Sequence, residues 1–132
     1  MISFSGYNEG MFFVINEERG HPAFLDVNVR KAFAMALDRD AINRDLHFDL
    51  TKTPASFWDS LPFYNDPPVP NYPYDPAEAA RLLDEAGWVD SNGDGPRDKD
   101  GVELVLSYGT TIRPDRQDVQ AVIQQQLAAV GI

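Results

Sequence analysis

Apolar positions along this chain change their period several times, and each change predicts an element. The first run, "MFFVIN" from Met11 to Asn16, is short and rich in aromatic and β-branched residues, which predicts a buried strand. From Val29 the period lengthens. Val29, Ala32, Phe33, Ala36 and Leu37 recur at i, i+3, i+4, i+7 and i+8, the stripe of an amphipathic helix. Asp38 is placed to cap a second short helix over "DAINRDLH", where Ile42 and Leu46 repeat at i, i+4.

The pattern collapses between Leu61 and Pro76, where six of the ten prolines lie among Asn, Asp and Tyr. Proline lacks the amide that a ladder or a helix needs, so residues 61–76 are expected to form an irregular crossing. "YDPAEAARLLDEAGW" then predicts a helix with Asp75 as N-cap, Pro76 at the first position, Glu78 completing a capping box and Gly87 as a left-handed stop. Its buried stripe is Ala79, Leu82, Leu83 and Ala86. Alternation of Val102, Leu104, Leu106 and Tyr108 predicts a strand over "VELVLSYG". A last helix is expected from about Pro114 to Val130, with Val119, Val122, Ile123, Leu127 and Val130 inward and a stop at Gly131.

Strands interleaved with helices point to an α/β fold, with α+β as the alternative, and to helices packed on a small sheet. Two readable strands make a marginal sheet. The last residues, "AAVGI", fall where an α/β pattern starts its next strand. Both features give the expectation that residues 1–132 are one domain cut from a longer protein, and Met1 before "ISFSGYNEG" agrees with an excised piece.

Charge narrows the function. The net charge of −10 and the pI near 4.4 come from eleven bases scattered among twenty-one acids, which repel phosphate backbones and anionic membrane surfaces. Nucleic acid is therefore excluded as a partner. No apolar run approaches the roughly 20 residues that span a bilayer, and "MISFSGYNEG" lacks the order of a signal peptide. Without cysteine there are no disulfides, thiolate metal sites or cysteine nucleophiles.

The stretch "DSNGDGPRDKDG", Asp90 to Gly101, supports two readings. Asp90, Asn92, Asp94 and the glycine at 95 match the first half of a calcium loop, with Asp98 as a further oxygen ligand. Gly101 stands where that loop needs a bidentate carboxylate. The other reading is a hairpin, because Asp100-Gly101 is the sequence of a tight two-residue turn. Calcium would have a structural role, and the acids of this loop outnumber Arg97 and Lys99.

The motifs "VRKAFAMALDRDAI" and Ala79 to Trp88, "AARLLDEAGW", recur in order with "FFVIN", "TPA", "DGPRDKDG", "ELVLSYG" and "VIQQQLAAVGI". Together they resemble the solute-binding proteins of peptide-type ABC transporters, the receptors for oligopeptides, dipeptides, nickel chelates and some sugars. The resemblance runs from about Met11 to Ile132. It implies a partial C-terminal lobe of a type II periplasmic-binding-protein-like fold, and capture of solute outside the cytoplasm by lobe closure. It also implies delivery to a membrane permease, a periplasmic or extracellular, cell-surface-associated location, no enzymatic activity and no required cofactor.

Ligands of open α/β sheets lie beyond the carboxyl ends of strands. Solute contact is accordingly expected at Met11 and Phe12, at the aromatic pair Phe57 and Trp58, and at Tyr108 and Arg113 in "YGTTIR". Core or loop packing competes with solute contact at each of them. Arg30, Asp38 and Trp88 are read as structural, and His21 and His47 are isolated from carboxylates at triad or metal spacing. A free-standing, calcium-stabilised interaction domain is the alternative function. Hydrolysis by Asp84 and Glu85 is set aside, since both end an exposed helix face.

Overall fold

The structure, a computed structural model, describes residues 10–16, 18–50, 52–54 and 70–132. A 3-10 turn at Pro22–Leu25 leads into α1, Val27–Met35, followed by α2, Arg39–His47. After the crossing come α3, Pro76–Glu85, then β1, Asp98–Lys99, and β2, Val102–Glu103. Helix α4 runs from Pro114 to Ala128.

Local sequence explains where the helices begin and end. Asp26 caps α1 by accepting from the Asn28 amide at 2.7 Å, and Asp38 caps α2 by accepting from Ala41 at 2.8 Å. Both satisfy amides that have no partner inside the helix. Arg30 donates to the carbonyls of Phe24 and Leu25 at 2.5 and 3.1 Å, so it binds the 3-10 turn to α1. Asp75 caps α3 through the Glu78 amide at 2.9 Å.

The reciprocal half of the expected capping box is absent. Glu78 turns to Arg81, and the Asp75 amide donates to Met35 O at 2.8 Å. That bond joins the start of α3 to the end of α1. Gly87 (φ +82°) and Gly131 (φ +82°) end α3 and the last turn after α4 in the left-handed region.

Helices α1 and α3 pack face to face. Ala32, Ala79, Leu83 and Leu104 are fully enclosed, and Val29, Phe33, Ala36, Ile123, Leu127 and Val130 are buried around them. Burying a Leu side chain such as Leu83 contributes roughly 2 kcal/mol. Phe13 joins this core through a tilted ring contact with Phe24 and an edge-to-face contact with Phe33, at ring separations of 4.5 and 4.7 Å. Helix α2 buries no residue completely.

The sheet is a two-stranded antiparallel hairpin with Asp98 opposite Glu103 and Lys99 opposite Val102, extended by a bridge from Val89 to Asp98. Asp100 (φ +53°) and Gly101 (φ +78°) form its turn, the two left-handed residues that a type I′ hairpin demands. The hairpin reading of "DKDG" holds. The strand expected over Met11–Asn16 does not form, and the one expected over "VELVLSYG" is confined to Val102–Glu103. A ladder needs a partner at the right distance; Leu104 keeps one backbone bond, from its amide to Arg97 O at 2.6 Å, and among the described residues neither Met11–Asn16 nor Val105–Tyr108 has a ladder partner. Leu104 and Leu106 still turn inward while Val105 is exposed. Val102 and Tyr108, expected inward with them, are exposed, so the alternation records burial at Leu104 and Leu106 alone.

Candidate functional site

The segments Met11–Val14 and Val105–Tyr108, which lack ladder partners, both border one open depression of about 630 Å³. Helix α4 completes its rim with Gln120, Ile123, Gln124 and Leu127. The depression brings together Met11, Phe12 and Tyr108, three of the positions expected from the sequence to meet solute. Phe12 is 79% exposed and Tyr108 37%, and Gln120 fixes the Tyr108 carbonyl through Nε2 at 2.6 Å. Among the described residues lining it, Arg19 is the one Lys or Arg and no Asp or Glu takes part. It is therefore an apolar surface with amide groups and one cation.

Arg113 lies outside that lining. It forms the N-terminal boundary of α4 and pairs with Asp115, whose carboxyl it holds below the usual carboxylate range. Phe57 and Trp58 fall outside the described residues, as do residues 61–69 of the Pro-rich crossing.

Residues that the sequence reading did not assign to solute contact also border the depression. His21 is held from both ends, Nδ1 accepting from the Ala23 amide at 3.3 Å and Nε2 lying 2.8 Å from Glu103 O. Gly20 packs so closely that an added Cβ would lie 2.1 Å from Val14 O. A His-Pro pair ahead of "AFL" was the available signal for His21, since the residue before a helical turn can cap it. Gln120 and Gln124 sit one turn apart beside Ile123 and could have been read from the helix wheel.

In the acidic loop each expected calcium ligand already has a partner within the loop. Asp90 accepts from the amides of Gly93 and Gly95 at 2.6 and 3.1 Å, and Asn92 Nδ2 donates to Asp94 at 2.7 Å. Ser91 donates to Asp98 from Oγ at 2.7 Å and from its amide at 3.0 Å. Those bonds favour the charged form and hold the Asp98 carboxyl below its ordinary value. Among the described residues no three acids or histidines converge as a metal site.

The two cations of the loop turn away from its acids and onto helix ends. Lys99 Nζ donates to Ala86 O at 2.6 Å, where α3 exposes unpaired carbonyls and the negative end of its dipole. Arg97 donates to Trp88 O and Val130 O, each at 2.7 Å, and pairs with Asp84. The loop thereby ties the end of α3 to the end of α4, and Trp88 is buried beneath it.

The family described as bacterial extracellular solute-binding proteins, family 5 Middle, matches residues 2–132. The chain is similar to the oligopeptide-binding protein AppA of Bacillus subtilis (strain 168), with 37% identity over 116 residues, 83% of this chain and 21% of AppA. It is also 37% identical over 131 residues to a putative ABC transporter peptide-binding protein of Brucella ovis, covering 94% of this chain and 22% of that protein. The chain thus spans about a fifth of the length of these curated relatives.

Among solved structures it resembles AppA from Bacillus subtilis in complex with a nonapeptide, with a TM-score of 0.73, 34% identity and coverage of 85% of this chain and 23% of AppA. It resembles NikA from Brucella suis in complex with Fe(III)-EDTA almost equally, with a TM-score of 0.72, 33% identity and the same coverage. No helix among the described residues is long and apolar enough to cross a membrane. The chain belongs to the bacterial extracellular solute-binding proteins of family 5.

Proposed function

We propose that this chain is part of the solute-binding component of an ABC importer, which captures peptides or related small solutes outside the cytoplasm and delivers them to a membrane permease. The observation that carries this reading is the family match over residues 2–132. Likeness to AppA, solved with a nonapeptide, favours peptides as the solute class. Likeness to NikA, solved with Fe(III)-EDTA, keeps metal chelates as the second class.

The chain supplies part of the C-terminal lobe, which closes with a second lobe over the solute. Solute contact falls on Met11, Phe12 and Tyr108 at the rim of the depression, joined by Phe57, Trp58 and Arg113. The work is binding, without bond chemistry and without a required cofactor. A periplasmic or extracellular, cell-surface-associated site of action follows from that role.

Calorimetry on the full-length protein that contains this chain tests the reading. Titration with a mixture of nonapeptides is expected to release heat of saturable binding, and the Phe12→Ala, Tyr108→Ala double variant is expected to bind roughly tenfold more weakly. Absence of heat with peptides and with Fe(III)-EDTA would overturn the role, while unchanged affinity in the double variant would overturn the placement of the site.

A further inference from the structure

Arg97 does not line the depression, yet it is bonded to the chain on which two of its walls stand. Its Nε donates to Val130 O at 2.7 Å and its amide to Gly131 O at 2.9 Å. These two residues connect Leu127 to Ile132, both of which line the depression. The Arg97 carbonyl accepts from the Leu104 amide at 2.6 Å, and Leu104 leads directly into the lining segment Val105–Tyr108. Nη1 donates to Trp88 O at 2.7 Å and pairs with Asp84, which fixes the guanidinium to the end of α3. On the solute site proposed above, we infer that Arg97 is a positioning residue for solute binding. It sets the end of α4 against the segment that follows the hairpin, and with it the spacing of two walls of the depression.

The Arg97 side chain is only 13% exposed, and its fork meets carbonyls just past the C-terminal ends of two helices, where a cation is favoured. A planar guanidinium bonds to both in fixed directions, which a lysine ammonium on a flexible stem does not reproduce. Gly131 (φ +82°) shows how closely the two chains approach. A Cβ there would lie 2.8 Å from Arg97 Cγ and 3.2 Å from Nε, so any larger residue must push aside the base of the side chain. The last turn passes such a displacement on, because the amides of Val130 and Ile132 both donate to Leu127 O at 3.0 Å. Lys99 supplies an internal comparison. It belongs to the same hairpin, but its side chain bonds to Ala86 O at the end of α3 and touches neither wall.

The test is calorimetric titration of the full-length protein that contains this chain with a mixture of nonapeptides, at a temperature where melting curves show every variant folded. Arg97→Gln and Arg97→Lys are both expected to weaken binding about fivefold, the scale on which residues without ligand contact act on a site. Lys99→Met, which frees the end of α3 alone, is expected to lower the melting temperature and keep wild-type affinity. Wild-type affinity in Arg97→Gln overturns the inference. An equal loss of affinity in Lys99→Met also overturns it, because any loosening of the hairpin would then suffice. So does full affinity in Arg97→Lys, since one charge would then serve without the fork. Should Arg97→Gln fail to fold, Gly131→Ala displaces the same side chain with its charge retained; a similar loss of affinity is expected there, and none overturns the inference. A wild type that binds neither nonapeptides nor Fe(III)-EDTA removes the solute-binding role, and the inference with it. A wild type that binds while the Arg97 variants bind equally well removes the inference alone.

Discussion

His21 joins the turn before α1 to the hairpin: its Nε2 lies 2.8 Å from Glu103 O, while its Nδ1 accepts from the Ala23 amide at 3.3 Å. With Nδ1 an acceptor, the ring proton sits on Nε2 and is donated to Glu103. The ring also packs 5.5 Å from that of Trp88. One side chain therefore caps a helical turn and connects it to a strand far along the chain.

Separate variants divide those two roles. His21→Ala removes the cap and the distant bond, each contributing about 1 kcal/mol, and is expected to cost about 2 kcal/mol of stability. His21→Asn keeps a capping oxygen but cannot reach Glu103, so about half of that loss should return. Urea unfolding followed by tryptophan fluorescence measures both. Equal loss in the two variants would mean that the cap contributes nothing.

Gly20, at the depression, and Gly109, which follows Tyr108, predict opposite outcomes. A Cβ on Gly20 would lie 2.1 Å from Val14 O and within 2.9 Å of Asn16 backbone atoms, so Gly20→Ala must move main chain. It is expected to cost about 1 to 3 kcal/mol, the range of overpacking. Gly109 has nothing within 4 Å of its would-be Cβ, and Gly109→Ala should change stability by less than about 0.5 kcal/mol. Melting curves of the two variants decide the matter, and similar values would refute the close approach at Gly20.

The helices were legible because their signals are local. Asp38, Asp75 with Pro76, and Gly87 each mark a boundary by their own backbone chemistry, and the apolar stripes of α1 and α3 became the core they predict. The strands were less legible, since alternation at Leu104 and Leu106 reports which side is buried and says nothing about a pairing partner. His21 and Arg97 were opaque for another reason: each bonds to backbone oxygens distant in sequence, and such contacts leave no periodic trace. For the site, Met11, Phe12 and Tyr108 were reachable as ends of apolar runs. Gln120 and the close approach at Gly20 depend on how those runs pack.

Asp98 provides a pH prediction. Hydrogen bonds from the Ser91 side chain, and then from its amide, depress the carboxyl's pKa in the folded protein. For a depressed acid, the stabilising contribution is present above its unfolded value of about 3.9 and is lost as pH falls through the lower folded value. Ser91→Ala removes the larger cause and should move the Asp98 titration upward, toward about 3.9. Carbon-13 chemical shifts of the Asp98 carboxyl across pH 2 to 6 measure it. A titration identical to wild type would remove Ser91 as the cause.

The acidic loop yields the last prediction, which separates its two sequence readings by metal addition and removal. Asp90 is engaged by two amides, Asn92 is bonded to Asp94, and Asp98 is bonded to Ser91, so calcium would have to replace bonds the loop already makes. Arg97 and Lys99 are committed to the ends of α3 and α4, and these bonds tie the hairpin to both helices. Metal-stripped protein is therefore expected to melt at the same temperature with chelator or with millimolar calcium, and to give no heat of calcium binding. Asp90→Ala should instead cost about 1 kcal/mol in either condition, because it frees the Gly93 and Gly95 amides. A melting temperature that rises with calcium in the wild type but not in Asp90→Ala would establish the calcium loop and displace the self-capped hairpin.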